Sequence, residues 1–326
     1  MGIFHLPNLR MLRLTLNENL IGYLPEFSHS SQLEELTIGG TSFSGMLPIS
    51  IGNLESLKIL ELEYTNLYGM LPPSVGNLAQ LTYLDVSRNN FWGKIPSSIA
   101  NLSKLTNLGL SGGSFDAGTL PFILGKLSKL TALYITDTKV SDVLPQCLAN
   151  LTHLSALVLS NNELLGEIPS WLLNLTRFTS LDLSGNHLYG MFPSSISQLK
   201  HLEVLDLASN SLSGKVELDI FQNLQNLTLL NLSGNKLMML ATNSSNATLP
   251  KLSSIGLASC NLKEFPDFLQ FQNELEFLNL ANNNIQGPVP TWLWNTSKET
   301  MSVPKGNVDK SKVQGLSPGK PHSKDM

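Results

Sequence analysis

Leucine is the commonest apolar residue in this chain, and the leucines recur in a fixed phrase. From Phe178 onward the pattern reads Phe178-x-x-Leu181-x-Leu183-x-x-Asn186-x-Leu188-x-Gly190-x-Phe192-Pro193-x-x-Ile196-x-x-Leu199. The same phrase starts at Leu9, Leu33, Leu57, Leu81, Leu105, Leu130, Leu154, Phe178, Leu202, Leu227, Leu252 and Leu275, at steps of 23 to 25 residues. A self-similar period of that length marks a repeat array. In Leu-x-Leu the two leucines face inward and the residue between them faces out, because strand side chains alternate. One strand per copy, stacked on the next, predicts a parallel sheet lining an inner wall. A single copy cannot bury its leucines alone, so stability must come from stacking.

The polar position after the strand is as regular as the leucines. Asn fills it at Asn17, Asn89, Asn162, Asn186, Asn210, Asn235 and Asn283. Its amide can satisfy backbone groups that the turn leaves unpaired in the interior, where an unmade hydrogen bond costs about 1–3 kcal/mol. The substitutes Thr41, Thr65, Thr138 and Cys260 still carry a donor, and only Gly113 lacks one. Local irregularity is expected at Gly113, beside Asp116-Ala117-Gly118. Next comes Leu-x-Gly-x-Ile/Leu-Pro, as in Phe91-Trp92-Gly93-Lys94-Ile95-Pro96, with the proline kept in ten of twelve copies. Glycine permits the tight turn, and proline fixes φ and forbids a long helix there. The convex side is predicted to be a short second strand and a brief helical turn such as Ser97-Ser98-Ile99-Ala100-Asn101-Leu102.

Leu-x-Gly-x-Ile-Pro within a repeat of about 24 residues resembles the plant leucine-rich repeats of receptor-like kinases, receptor-like proteins and polygalacturonase-inhibiting proteins. Ile3-Phe4-His5-Leu6-Pro7-Asn8-Leu9 leading to Leu24-Pro25-Glu26-Phe27 is similar to receptor-like-protein ectodomains. So is Leu257-Ala258-Ser259-Cys260-Asn261-Leu262 leading to Pro290-Thr291-Trp292-Leu293. The resemblance implies an α/β fold: a right-handed leucine-rich-repeat solenoid, with a parallel sheet on the concave face and short strands and helical turns on the convex side. It also implies ligand recognition on the extracellular side of the plasma membrane, with a possible co-receptor kinase as partner. Domain boundaries follow the repeats: residues 1–8 as part of a preceding repeat, 9–295 as the solenoid, and 296–326 as a polar, disordered tail. That family's signal peptide, cysteine-paired caps and transmembrane helix have no counterpart here, so the chain reads as truncated at both ends. Leu9, Leu12 and Leu14 are then expected to meet water.

Composition narrows the chemistry. Only 14% of residues are charged and the net charge is −4, without a basic stripe, which argues against nucleic acid. No run of 18 apolar residues occurs. Cys147 and Cys260 lie five repeats apart, about 24 Å at ~4.8 Å per strand, too far to form a disulfide. Sequons at Asn101, Asn150, Asn174, Asn226, Asn243, Asn246 and Asn295 are glycan candidates; Asn231 is not, because it projects toward the concave wall. Gly109-Leu110-Ser111-Gly112-Gly113 matches Gly-x-Ser-x-Gly, but Leu110 is a core leucine in register, not part of a strand–turn–helix elbow. The histidines show no metal spacing. No enzyme, cofactor or metal is expected.

Binding candidates are the outward strand positions. Repeats seven to twelve are bland there, with Ser155, Ser160, Ser184, Ser209, Ser233 and Ser259. Asp182 and Asp206 stand in the repeat's commonest setting and are not nominated. Repeats two to six carry Glu34, Glu35, Glu61, Glu63 and Asp85, with Tyr64, Tyr83, Arg88, Tyr134 and Asp137 beside them, and Trp92 just past the strand of repeat four. This is either a solvated polar face or a partly acidic, aromatic-bearing groove for a peptide or protein. The competing readings of the chain are a soluble polygalacturonase inhibitor, the outer part of a receptor kinase, and a degenerate product without function.

Overall fold

In the computed structural model, residues 2–115, 120, 122–240 and 249–294 are described. Each repeat makes one coil. Its Leu-x-Leu strand joins a parallel sheet of twelve strands, from Met11–Arg13 through Phe277–Asn279, stacked in sequence order. The register is one to one: Leu36 pairs with Leu60, Leu60 with Leu84, Leu84 with Leu108, and so on to Leu230 with Ile255. These leucines form the spine of the core, nearly all without solvent contact; Leu181 and Leu183 are both fully buried. The inward face of every strand is thus apolar because period-two alternation and a fixed repeat length place one leucine on the next.

The chain leaves each strand through one left-handed residue immediately before the Asn position, in all twelve repeats. Gly40, Gly112, Gly185 and Gly234 fill it without strain, while Leu16, Tyr64, Arg88 and Ser209 hold positive φ with a Cβ. The amide then bridges repeats. Asn186 Nδ2 donates to its own Leu183 carbonyl at 3.0 Å and to Leu159 of the preceding repeat at 3.0 Å, and Oδ1 accepts from Leu164 N. Asn89, Asn162, Asn210, Asn235 and Asn283 repeat that geometry. Thr41, Thr65 and Thr138 are too short to reach back to the preceding repeat's carbonyl. Thr41 and Thr65 donate to their own repeat's carbonyl, and Thr138 donates to the next repeat's Asn162. Cys260 Sγ lies 3.6 Å from the Leu232 carbonyl.

At Gly113 the expected irregularity is not found in the turn itself. Gly112 takes the left-handed conformation and donates to Thr136 O at 2.7 Å, and Leu108 stays in register with Leu133. Instead, the Phe115 ring leans into the space that an amide fills elsewhere: a Cβ on Gly113 would sit 2.6 Å from it. The second sheet stops at Ser114–Phe115. Residues 116–119, the loop expected to be irregular, lie outside the described residues, as do Asn243, Asn246, Asn295 and the expected tail.

On the other side, second strands pair in parallel from Ile21–Tyr23 to Ser114–Phe115, again between Ser141–Val143 and Glu163–Leu165, and from Tyr189–Met191 through Lys236–Leu240. Prolines at the N-cap open one-turn 3-10 helices such as Ser97–Asn101. At the first repeat Leu12 is only 5% exposed, against expectation, while Leu9 and Leu14 are half-buried. Phe4 is buried and meets Phe27 and Phe43 edge-on at 6.1 and 6.3 Å, which supplies part of that cover. Cys147 and Cys260 are both buried free thiols, and burial pushes Cys260 up to about 12.

Candidate functional site

The ten concave candidates come from repeats two, three, four and six, but they separate into distinct groups. One group is neutralised by neighbours. Glu35 is buried beneath a two-pronged contact from Arg13, whose Nη2 lies 2.8 Å from Oε2. Glu34 pairs with Lys58 and with Arg10. Arg88 crosses Gly112 to reach Asp137, Nη2 to Oδ2 3.0 Å, so the only cation nominated is tied to an acid two repeats on. Tyr64 stands at the left-handed turn, 57% exposed, on the rim.

The remaining five converge. Glu61 and Asp85 are register partners on adjacent strands, and Glu63 follows Glu61 on the same face. Among the described residues none of these three forms an ion pair. The Glu63 carboxyl is in hydrogen-bond contact with Asp85. Desolvation, the Asp85 charge and this hydrogen bond together push Glu63 up to about 8. Burial first, then Asp85 and Glu35, raise Glu61. Asp85 Oδ1 accepts from the Ser87 N–H at 2.8 Å. Tyr83 and Tyr134 flank the group; both phenols are raised by burial and by Asp85.

Room for these side chains comes from two glycines that sequence reasoning passed over. Gly109 is the register partner of both Asp85 and Tyr134, and a Cβ there would lie 2.5 Å from the Asp85 carboxyl. A Cβ on Gly39 would lie 3.1 Å from Glu63 and 3.2 Å from Glu61 Oε1. The result is a notch in the wall, floored by glycine and walled by Glu61, Glu63, Asp85, Tyr83 and Tyr134. It can accept a cationic group, with the phenols beside it for hydrogen bonding or stacking.

Other expectations find their places too. Trp92 is not beside this wall: it stands on the second sheet, in Asn90–Gly93. Ser111 of the Gly-x-Ser-x-Gly match is buried and accepts from Thr136 N, consistent with a structural residue. Asn231 faces the concave side and donates to Asp206 at 3.0 Å. Asp206, beside Asp182 in register, is pushed up to about 7 by burial and by that neighbour. Asn101, Asn150, Asn174 and Asn226 are exposed.

Comparison with known proteins agrees with this architecture. Family models described as "Leucine-rich repeat region", "Leucine rich repeat" and "Leucine Rich Repeat" match residues 3–117, 128–237 and 274–296 respectively. Receptor-like protein 47 of Arabidopsis thaliana is 45% identical over 80 residues, covering 24% of this chain and 10% of that protein's length. The Arabidopsis receptor kinase HAESA ectodomain, solved in complex with an N-terminally extended IDA peptide hormone, superposes with TM-score 0.73 at 28% identity, covering 86% of this chain and 51% of the other. HAESA in complex with IDA and the co-receptor SERK1 gives TM-score 0.72 at 29% identity over the same shares. By its repeat, its sheet and these family-model matches, the chain belongs to the leucine-rich-repeat family.

Proposed function

We propose that this chain is part of the ligand-recognition ectodomain of a plant cell-surface receptor-like protein, and that the notch at Glu61, Glu63 and Asp85 receives a Lys or Arg side chain, or an N-terminus, of a peptide or protein. The supporting observation is three mutually close carboxyls without a cation, in a wall where neighbouring acids are each already paired. A cation entering the notch would meet uncompensated negative charge partly shielded from water, where Coulombic attraction exceeds its value at an open surface. The structural relatives bound to a peptide hormone and to a co-receptor support a peptide ligand and a signalling partner for this chain as well. On this reading it works outside the cell at the plasma membrane. No helix among the described residues is long and apolar enough to cross a membrane.

The test is selection of random peptides on the purified chain, with Glu61→Lys and Asp85→Lys as counter-selection. Enrichment of Lys- or Arg-bearing peptides that the variants no longer retain is the expected result. Peptides indifferent to both reversals would remove the notch from consideration.

A further inference from the structure

Among the described residues, a run of exposed apolar side chains lies on the second sheet of repeats one to four, off the concave wall. Ile21, Tyr23, Met46, Tyr68, Met70 and Trp92 are between 50% and 79% exposed. The register joins them. Tyr23 pairs with Ser44, two residues before Met46; Met46 pairs with Tyr68; and Gly69 pairs with Phe91, which sets Met70 beside Trp92. Glycines at positive φ let each side chain lie across the next repeat: a Cβ would touch Tyr23 at Gly45, Met46 at Gly69 and Met70 at Gly93, each at 3.1–3.2 Å. The six residues therefore form one continuous staircase.

The repeat does not require apolar groups there. In repeat nine the matching positions are Ser213 and Lys215, and the strand Ser211–Glu217 forms all the same. From their exposures the six residues present roughly 900 Å² to solvent, above the ~300–600 Å² of the largest apolar patch on an ordinary monomer. That is close to the ~800 Å² each partner contributes to a standard interface. The second strands that carry the staircase, Ile21–Tyr23, Ser42–Met46, Asn66–Gly69 and Asn90–Gly93, hold no charged residue; Lys94 follows the last of them, and the first sequon comes later, at Asn101.

We propose that this lateral face is where two copies of the chain meet. An isologous interface must be self-complementary, and a nearly uncharged patch meets its own copy without like-charge repulsion. A two-fold axis running across the staircase near Met46 and Tyr68 sets Lys94 against Tyr23 of the second copy, a cation–π arrangement, whereas an axis along the staircase would oppose Lys94 to Lys94. The interface lies outside the concave wall and leaves the notch open.

Sedimentation velocity of the full chain at micromolar concentration tests this. The expected species has twice the 35.6 kDa chain mass. Met70→Glu and, separately, Tyr68→Ser should return it to a monomer with unchanged circular dichroism and a melting temperature that no longer depends on concentration. Met191→Glu, at the matching position of repeat eight and 69% exposed, should leave the dimer intact. A wild-type monomer throughout overturns the proposal, as does a dimer that survives both substitutions in the staircase. Should Met70→Glu fail to fold, Tyr68→Ser decides alone, since it removes exposed surface without adding charge.

Discussion

Asn162 gives the sharpest test of how the coils are held together. Its Nδ2 donates to Ile135 O at 2.7 Å and to Leu159 O at 3.0 Å, and more weakly to Ser160 O at 3.3 Å. Its Oδ1 accepts from Thr138 N and Val140 N, both at 3.1 Å, and from Thr138 Oγ1 at 2.9 Å. The residue is 6% exposed. Asn162→Ala orphans two carbonyls and two N–H groups in the interior; at about 1 kcal/mol for each, less what an entering water recovers, the loss is near 3 kcal/mol. Asn162→Thr keeps the bond to its own repeat, as Thr65 does with Leu62 O at 3.0 Å, so about 2 kcal/mol should be lost. Asn162→Asp keeps the shape but can only accept, turning a carboxylate toward the Ile135 and Leu159 carbonyls. It should be the worst at neutral pH and improve in acid. Urea unfolding followed by circular dichroism, at constant slope, reads the order wild type, Thr, Ala, Asp. An alanine variant within about 0.5 kcal/mol of wild type, in the range of an ordinary surface change, would refute the ladder as a source of stability.

The raised carboxyls make stability depend on pH with a definite sign. Glu63, raised from 4.5 to about 8, and Asp206, raised from 3.8 to about 7, bind protons more tightly folded than unfolded. Their contribution is full below pH 4 and is lost as pH rises through 7 and 8; the melting temperature should fall over that window, and Glu63→Gln with Asp206→Asn should flatten the profile. Gly109→Ala should push the Asp85 carboxyl off its seat and return Glu63 toward ordinary carboxylate behaviour; a side-chain NMR titration of Glu63 that does not move would contradict the contact. Gly113→Asn alone should destabilise, because its Cβ meets Phe115, whereas pairing it with Phe115→Leu should recover stability by restoring the missing rung; equal melting temperatures for the single and double variants would argue against that.

The fold was legible because one rule, repeated twelve times, fixes it. Leu181 and Leu183 need only alternation and stacking to be buried, and Pro96 needs only its ring to set the entry to Ser97–Asn101. Gly113 was misjudged because the slot was read for its missing amide alone. The turn depends on the left-handed residue before it, which Gly112 supplies, and the emptied volume went to the larger side chain two places on. Leu12 was misjudged because repeat counting treats residues before Leu9 as a remnant, whereas Phe4 packs into the core.

The site was legible by column but not by charge. Register brings Glu61, Asp85 and Tyr134 into line, yet whether an acid is free depends on its neighbours one coil away, such as Arg13 for Glu35 and Lys58 for Glu34. Glycine carried the signal that was missed. Gly112 serves the turn and Gly69 the lateral crossing; both take positive φ, so the backbone accounts for them. Gly39 and Gly109 take no such conformation. Their columns accept Glu63, Ser87, Thr37, Asp85 and Tyr134 elsewhere, so nothing in the repeat requires a missing Cβ there. A strand glycine that the backbone does not need weakens the strand and leaves room beside it. Gly39 adjoins Glu61 and Glu63, and Gly109 adjoins Asp85, whereas Gly256, the matching strand glycine of repeat eleven, adjoins only Asn231 and Ser233. A notch that costs strand stability and is furnished with unpaired charge is hard to explain by folding alone, which is why the concave wall at repeats two to six, and not the bland wall of repeats seven to twelve, is where a ligand should be sought.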